Sequence, residues 1–366
     1  MLRQLKVALS LLTMLFCASV QAQQTYDDGA RWAFVTDAKS AQLAIIDTFN
    51  FTLVEHKKLA GIPVDMVVSD VQSLLVYAIK NDPSLYIWDL SNNKTWSMAL
   101  GFQAQSLKFH SNGAMLAVAG KDQVTVVEPL TQKVVKHINN LASPISLNFS
   151  SDGYRLMITQ ETNGATHIWN VYHDSLKTIT MGNGNPVSEI TLTPDSRLGM
   201  VSIPKDHKVH IWDFISNKDW KWLDFDAEVA RPYVTSDSQH IVLAANNGNI
   251  KIIDAYSRNT IKELNIGAKA NKIRTGWLER VAAVESRKGL HIFNLKGDNK
   301  ITLLPTEGHT RDMVVVSDSK SMFSSHDNSS DIKVVDLRKL SGKTDIKTQL
   351  IQPNHIVMGL TNTICH

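Results

Sequence analysis

Short runs of alternating apolar residues recur along the chain, and each run ends in an acidic or amide residue. The eight runs end at Asp47, Asp89, Glu128, Asn170, Asp213, Asp254, Asn294 and Asp336, so consecutive ends are 39 to 43 residues apart. Alternation of this kind predicts β-strands with one buried face. A repeat of about 40 residues is typical of the four-stranded blade of a propeller. The pattern predicts an all-β chain that forms one closed β-propeller of about eight blades, with seven as the alternative count.

A second signal, out of phase with the first, marks the hairpins between strands. An apolar strand end is followed by Ser, Thr or Pro, then by Asp or Asn and Gly or Ser, as in residues 109–113, 149–153 and 192–196. Asp and Asn tolerate left-handed backbone, and Gly adopts it without steric cost. For the fifth blade the two signals predict strands over residues 187–193, 197–203, 208–214 and 218–225.

The two ends of the repeat region are complementary. The first predicted strands, over 31–36, 43–48 and 52–59, correspond to the second, third and fourth strands of a blade. An apolar segment, 355–361, is left over at the other end. We expect it to pair into the first blade and close the ring, because closure removes open sheet edges; a free C-terminal tail is the alternative. The predicted organisation is a leader at 1–22, a short segment at 23–30, a propeller at 31–361 and a tail at 362–366.

The N-terminus has the features of a secretory signal peptide. Arg3 and Lys6 precede an apolar run from Val7 to Val20, and Ala22 completes a small-residue cleavage site. Cleavage there predicts a periplasmic or secreted protein; an uncleaved anchor is the alternative. Loss of the two cations lowers the formal charge of +3 by two. A near-neutral chain gives no electrostatic case for binding nucleic acid, and no later segment predicts membrane insertion.

Several residues resemble the WD40 repeat family, in a secreted, bacterial-type form. Trp88-Asp89 and Trp212-Asp213 match the family's Trp-Asp pair, and Gly308-His309 matches its Gly-His pair. Asp82 and Asp206 lie six residues before the two tryptophans, where the family places a turn aspartate. The resemblance implies structural roles, in buried hydrogen-bond networks, for Asp82, Trp88, Asp206, Trp212 and His309. Similar hairpins also occur in lactonase-like and cytochrome d1-like propellers.

No recognised catalytic motif is present in the sequence, so no catalytic residue, metal site or cofactor is predicted. His167, His210 and His291 occupy equivalent places in three blades, and we interpret them as strand residues. Enzymatic activity stays open, with a non-enzyme favoured.

Loops at the ends of a propeller carry its function. One end gathers cations, an acid and imidazoles, and it forms the candidate interaction face: Lys205, His207, Arg231, Arg287, Lys288, Arg311, His326 and Asp327. The favoured function is a periplasmic or secreted interaction scaffold for a protein partner. The alternative is an enzyme or cofactor-binding propeller, either a lactonase-like hydrolase or the propeller subunit of a periplasmic redox complex that holds haem or a quinone.

Overall fold

The computed structural model describes residues 24–359, which form eight antiparallel sheets of four strands each. The predicted leader at 1–22 and tail at 362–366 lie outside these residues. The eight-bladed, all-β architecture is therefore confirmed. No helix between residues 24 and 359 is long and apolar enough to cross a membrane.

The strands follow the sequence repeat. The first four blades contain β1 (Trp32–Asp37), β2 (Gln42–Asp47) and β3 (Thr52–Lys58); β4 (Pro63–Ser69), β5 (Leu74–Ile79), β6 (Ser84–Asp89) and β7 (Lys94–Ala99); β8 (Ser106–Phe109), β9 (Leu116–Ala119), β10 (Gln123–Glu128) and β11 (Lys133–Asn139); β12 (Ile145–Phe149), β13 (Arg155–Gln160), β14 (Ala165–Asn170) and β15 (Ser175–Thr180).

The remaining blades continue the same order around the ring. They contain β16 (Thr191–Leu192), β17 (Leu198–Ile203), β18 (Lys208–Asp213) and β19 (Lys218–Asp224); β20 (Tyr233–Val234), β21 (His240–Ala244), β22 (Asn249–Asp254) and β23 (Thr260–Asn265); β24 (Ala270–Gly276), β25 (Val281–Ser286), β26 (Gly289–Asn294) and β27 (Ile301–Leu304); β28 (Thr310–Val315), β29 (Ser321–His326), β30 (Asp331–Asp336) and β31 (Ser341–Lys347).

The C-terminal strand closes the ring. Strand β32 (Pro353–Met358) pairs antiparallel with β1 and supplies the innermost strand of the first blade, with Ala33 opposite Met358. The strand begins two residues earlier than predicted. Asp37 fixes its approach, because its carboxylate accepts hydrogen bonds from the amides of Ile351 at 2.9 Å and Gln352 at 3.1 Å.

The hydrophobic core lies between neighbouring blades. One cluster joins Val126 of the third blade to Leu147 and Trp169 of the fourth, and the other junctions repeat the arrangement. Aromatic residues of the outer strands extend this packing: the indole of Trp96 donates across a junction to the carbonyl of Pro129 at 3.3 Å, and within the fifth blade Trp222 stacks on His210 with ring centroids 4.0 Å apart. Stability therefore rests on face-to-face packing of the blades.

The tryptophan networks differ from the WD40 pattern. The Trp88 indole donates to Asn93 at 2.8 Å, five residues further on, while Asp82 accepts from the Tyr86 hydroxyl at 2.8 Å. Asp206 is exposed, and within residues 24–359 it accepts only from Asn185, at 3.0 Å. The buried indole nitrogen of Trp212 has no partner among the described residues. The network that the resemblance implies needs the histidine of a Gly-His pair in each blade, and the second and fifth blades lack that pair.

Candidate ligand site in the central channel

Eight innermost strands, one from each blade, surround a central channel. Their strand registers align two sets of side chains that alternate with fully buried residues such as Met66, Ile190 and Met313. The upper ring, nearer the loops that lead into each blade, comprises His355, Asp65, Ser106, Ser146, Glu189, Arg231, Lys272 and Asp312. The lower ring comprises Val357, Val67, Lys108, Asn148, Thr191, Tyr233, Arg274 and Val314.

Most polar members of the rings bond to the backbone of the next blade. An innermost strand leaves one edge unpaired, and buried N–H and C=O groups require partners. Asp65 accepts from the Leu107 amide at 2.7 Å. In the lower ring, Thr191 donates to the Pro232 carbonyl at 2.8 Å and Arg274 to the Met313 carbonyl at 2.8 Å. These contacts join adjacent blades and account for much of the charge in the channel.

Lys108 departs from this pattern. Asn148, Thr191 and Arg274, at the same level, each donate to the following blade. Within residues 24–359 the Lys108 ammonium has neither a hydrogen bond nor an ion pair. Burial, followed by the positive charge of Arg231, lowers its pKa, while the charges of Glu189 and Asp65 oppose that shift. A half-buried cation with no bonded partner is costly, and an anionic group in contact with it would offset that cost.

Arg231 reaches the channel from the sixth blade. It forms an ion pair with Glu189, and its guanidinium donates to Thr191 at 3.1 Å and to the Ile190 carbonyl at 3.2 Å. Glu189 has no amide to bond in the next blade, because the residue there is Pro232. The pair keeps much of its surface open, with 45% of the Arg231 side chain and 40% of Glu189 exposed. Arg231 and Lys108 thus present positive charge to one space from different walls.

Acidic groups also line the channel: Asp65, whose carboxylate bonds to the Leu107 amide next to Lys108, and Asp312. Burial raises the pKa of Asp65 to about 6, although the Leu107 and Met66 amides and the charges of His355 and Lys108 oppose that rise. His355, on the closing strand β32, is half exposed and lies 4.0 Å from Asp312. His355 brings an imidazole to the channel wall, and no cluster of three metal-ligating side chains exists among the described residues.

The residues of the predicted interaction face lie in three environments: on exposed loops, in the channel, and in buried or ion-paired positions. Lys205, His207, Arg287 and Lys288 are exposed on the loops around the channel mouth. The first two line a surface hollow of about 480 Å³ between the fifth and sixth blades, together with Asp226 and Glu228.

The other residues of that face are not free rim residues. Arg231 lines the channel, and Arg311 pairs with Asp327 at 2.8 Å. His326 cannot belong to a surface, because it is buried and bonded to Ser324 and Thr310; burial lowers its pKa to about 4. Sequence alternation places His326 on a strand end but does not show which side chains the neighbouring blade covers.

His309 differs from its expected role. It is 44% exposed at the channel mouth, where its Nδ1 lies 3.2 Å from the buried carboxylate of Glu285. The strand histidines have local partners instead: His167 pairs with Gln160 at 2.8 Å, and His291 with Ser286 at 2.9 Å.

The fold is similar to that of solved propellers. Dihydro-heme d1 dehydrogenase NirN, in complex with DHE, superposes with a TM-score of 0.74 over 95% of this chain and 79% of that chain, at 14% identity. Hydrazine synthase from Kuenenia stuttgartiensis gives a TM-score of 0.58 over 75% of this chain and 95% of that chain, also at 14% identity. At this identity the likeness shows the fold alone. No protein-family model and no curated protein sequence matches the chain.

Proposed function

We propose that this protein is an exported, ligand-binding propeller whose channel mouth holds a small molecule with one or more carboxylates. The observation that supports this proposal is the half-buried ammonium of Lys108, which has no hydrogen bond or ion pair among the described residues and is influenced by the positive charge of Arg231. Charge-assisted hydrogen bonds to a carboxylate are among the strong polar contacts in proteins. The ligand site lies in the channel, so the exposed loop residues around it have a secondary role.

A tetrapyrrole with acidic side chains is the ligand class that the structural neighbour favours, since that protein is a dihydro-heme d1 dehydrogenase. The residues present fit such a molecule: Lys108 and Arg231 would hold its carboxylates, and the half-exposed His355 offers an imidazole to a metal. When bound, a tetrapyrrole supplies redox chemistry through its conjugated ring and metal. The chain's own residues bind and orient it through fixed charges.

A titration with haemin and with metal-free protoporphyrin IX tests this function. Wild-type protein is compared with Lys108→Met and with Lys121→Met, which removes an exposed cation from a loop at the same mouth. We expect Lys108→Met to raise the Kd about tenfold or more, the equivalent of roughly 1.4 kcal/mol, while Lys121→Met binds like wild type. Melting curves control for folding. Absence of binding, or equal binding by all three proteins, would refute the proposal.

A second candidate function, protein interaction, is favoured by the opposite end of the propeller. Exposed apolar side chains are sparse at the channel mouth but occur in the hairpins and loops of seven blades at the other end: Phe49, Val71, Leu130, Tyr154, Tyr172, Ile215, Tyr256 and Leu278. Tyr154 and Tyr172 pack against each other with ring centroids 4.8 Å apart, and exposed apolar surface of this kind favours an interaction site. Replacement of Tyr172 and Ile215 by Ser should reduce capture of a native partner, whereas Lys205→Glu at the channel mouth should not. The reverse result would indicate that the interface lies at the channel mouth.

A further inference from the structure

Glu285 is the only charged residue at a position that all eight blades share. That position lies on the second strand of each blade, at the level of the upper ring. The other blades carry a small residue there: Thr36, Ala78, Ala119, Thr159, Ser202, Ala244 and Ser325. Only 2% of the Glu285 side chain is exposed. A buried carboxylate costs free energy unless it is paired, so its place in one blade calls for a specific partner.

That partner is His309. The loop before β28 places its imidazole over Glu285, with Nδ1 3.2 Å from Oε1. Two features fix the loop: Gly308 adopts a φ of 88°, where a side chain would be strained, and the Asp327 amide donates to the His309 carbonyl at 2.9 Å. The Lys272 ammonium of the upper ring also interacts electrostatically with Glu285. The pair formed by His309 and Glu285 is therefore continuous with the channel.

The chemistry of the pair follows from its hydrogen bond. An ionised carboxylate only accepts, so Nδ1 of His309 donates, and the lone pair of a neutral imidazole is then on Nε2. No described residue occupies Nε2, and 44% of the side chain is exposed. A carboxylate behind Nδ1 orients the ring and stabilises the imidazolium that forms when Nε2 takes up a proton, as in the catalytic triads of hydrolases.

We infer that His309, oriented by Glu285, is the proton-accepting residue of the channel mouth. In the proposed step, the Nε2 lone pair takes a proton from an acidic X–H group of the bound ligand. The X–H bond breaks, its electron pair stays on the ligand, and Glu285 balances the new positive charge on the imidazolium. Glu285 acts through His309 and is a positioning residue. The inference rests on the proposed function, because it requires a ligand at the mouth.

Diethyl pyrocarbonate, which acylates neutral imidazole, tests the reactivity of Nε2 without knowledge of the ligand. Site-specific rates come from mass spectrometry of peptides. His207 and His173 are matched controls, since both are exposed and neither forms an ion pair with a carboxylate among the described residues. We expect His309 to react several-fold faster than either control, and Glu285→Gln to bring its rate down to theirs while the control rates stay unchanged.

Two further measurements keep the test decisive. If Glu285→Gln melts early, ¹⁵N NMR of the neutral wild-type imidazole replaces it: the tautomer with its proton on Nδ1 supports the inference, and the tautomer with its proton on Nε2 refutes it. Haemin should protect His309 and leave His173, at the opposite end, reactive. Equal rates for the three histidines, or no protection when haemin is bound, overturns the inference alone. Failure of haemin to bind overturns the proposed function, and the proton-accepting role falls with it.

Discussion

The carboxylate of Asp312 accepts a hydrogen bond from the amide of Ile356 at 3.0 Å, and so joins the eighth blade to the closing strand of the first. Asp312 also lies 3.8 Å from Arg274. The equivalent bond from the Leu107 amide to Asp65 joins the second and third blades. Charged residues on the channel wall therefore contribute to ring assembly. Lys108, which makes no such bond, and Arg231, whose pair with Glu189 keeps much of its surface open, are available for a ligand.

The first prediction concerns Asp312. Replacement by Ala leaves the Ile356 amide unpaired and removes the counter-charge of Arg274, so the free energy of unfolding should fall by about 1–3 kcal/mol. Asp345→Ala removes an exposed aspartate of the same blade and should change it by less than about 0.5 kcal/mol. Urea unfolding measures both. Equal stability of the two variants would show that the channel-wall bond contributes nothing.

The second prediction concerns closure by β32. A chain that ends at Gln352 lacks the inner neighbour of β1 and exposes an edge strand, so it should melt at a clearly lower temperature or aggregate. A chain that ends at Gly359 keeps all described residues and should melt like the full-length protein. Unchanged melting of the shorter chain would contradict the observed pairing of Ala33 with Met358.

The third prediction is a pH dependence from Asp65. Burial raises its pKa in the folded state from 3.8 to about 6. Between these values the folded state binds more protons than the unfolded state, so this group lowers the free energy of unfolding as pH rises. Asn cannot ionise, so the stability difference, wild type minus Asp65→Asn, should decrease from pH 3.8 to pH 6. Chemical unfolding across this range measures it, and a difference that stays flat or increases would contradict the shift.

The fourth prediction compares two tryptophan surroundings. Asn93 accepts from the Trp88 indole at 2.8 Å and from Lys57 at 2.8 Å, so Asn93→Ala should cost about 1–3 kcal/mol of stability. Asp206 is exposed, and Asp206→Ala should cost less than about 0.5 kcal/mol. Thermal melts of the two variants decide the matter. A larger loss of stability for Asp206→Ala would show that Asp206 belongs to a buried network of the WD40 type.

The blades could be predicted from sequence because period and alternation repeat along the whole chain. The run that ends at Asp213 coincides with β18, and the unpaired start of the first blade identifies β32 as its missing strand. The two shortest strands, β16 (Thr191–Leu192) and β20 (Tyr233–Val234), have two residues each, and the segment before β16 bonds irregularly to the fourth blade, where the Val187 amide donates to the Glu161 carbonyl. Local pattern alone does not show that irregularity.

The candidate site could not be predicted in the same way. Alternation shows that Lys108 and Leu107 point to opposite sides, but not that one side opens onto a channel and that Lys108 lacks a partner there. His326 and Arg231 occupy similar places in the sequence pattern, yet His326 lies in a buried junction and Arg231 lies in the channel. One signal was available: alignment of the eight blades shows Glu285 where every other blade carries Ala, Ser or Thr.

Native ligand content tests the central claim most directly. Wild type, Lys108→Met and Lys121→Met are purified from the cells that make the protein, and each sample gives an absorbance spectrum and a mass spectrum of the small molecules released on denaturation. The account predicts a carboxylate-bearing small molecule in wild type and Lys121→Met, strongly depleted in folded Lys108→Met. A wild-type protein that carries no such molecule, or equal content in all three proteins, would contradict it.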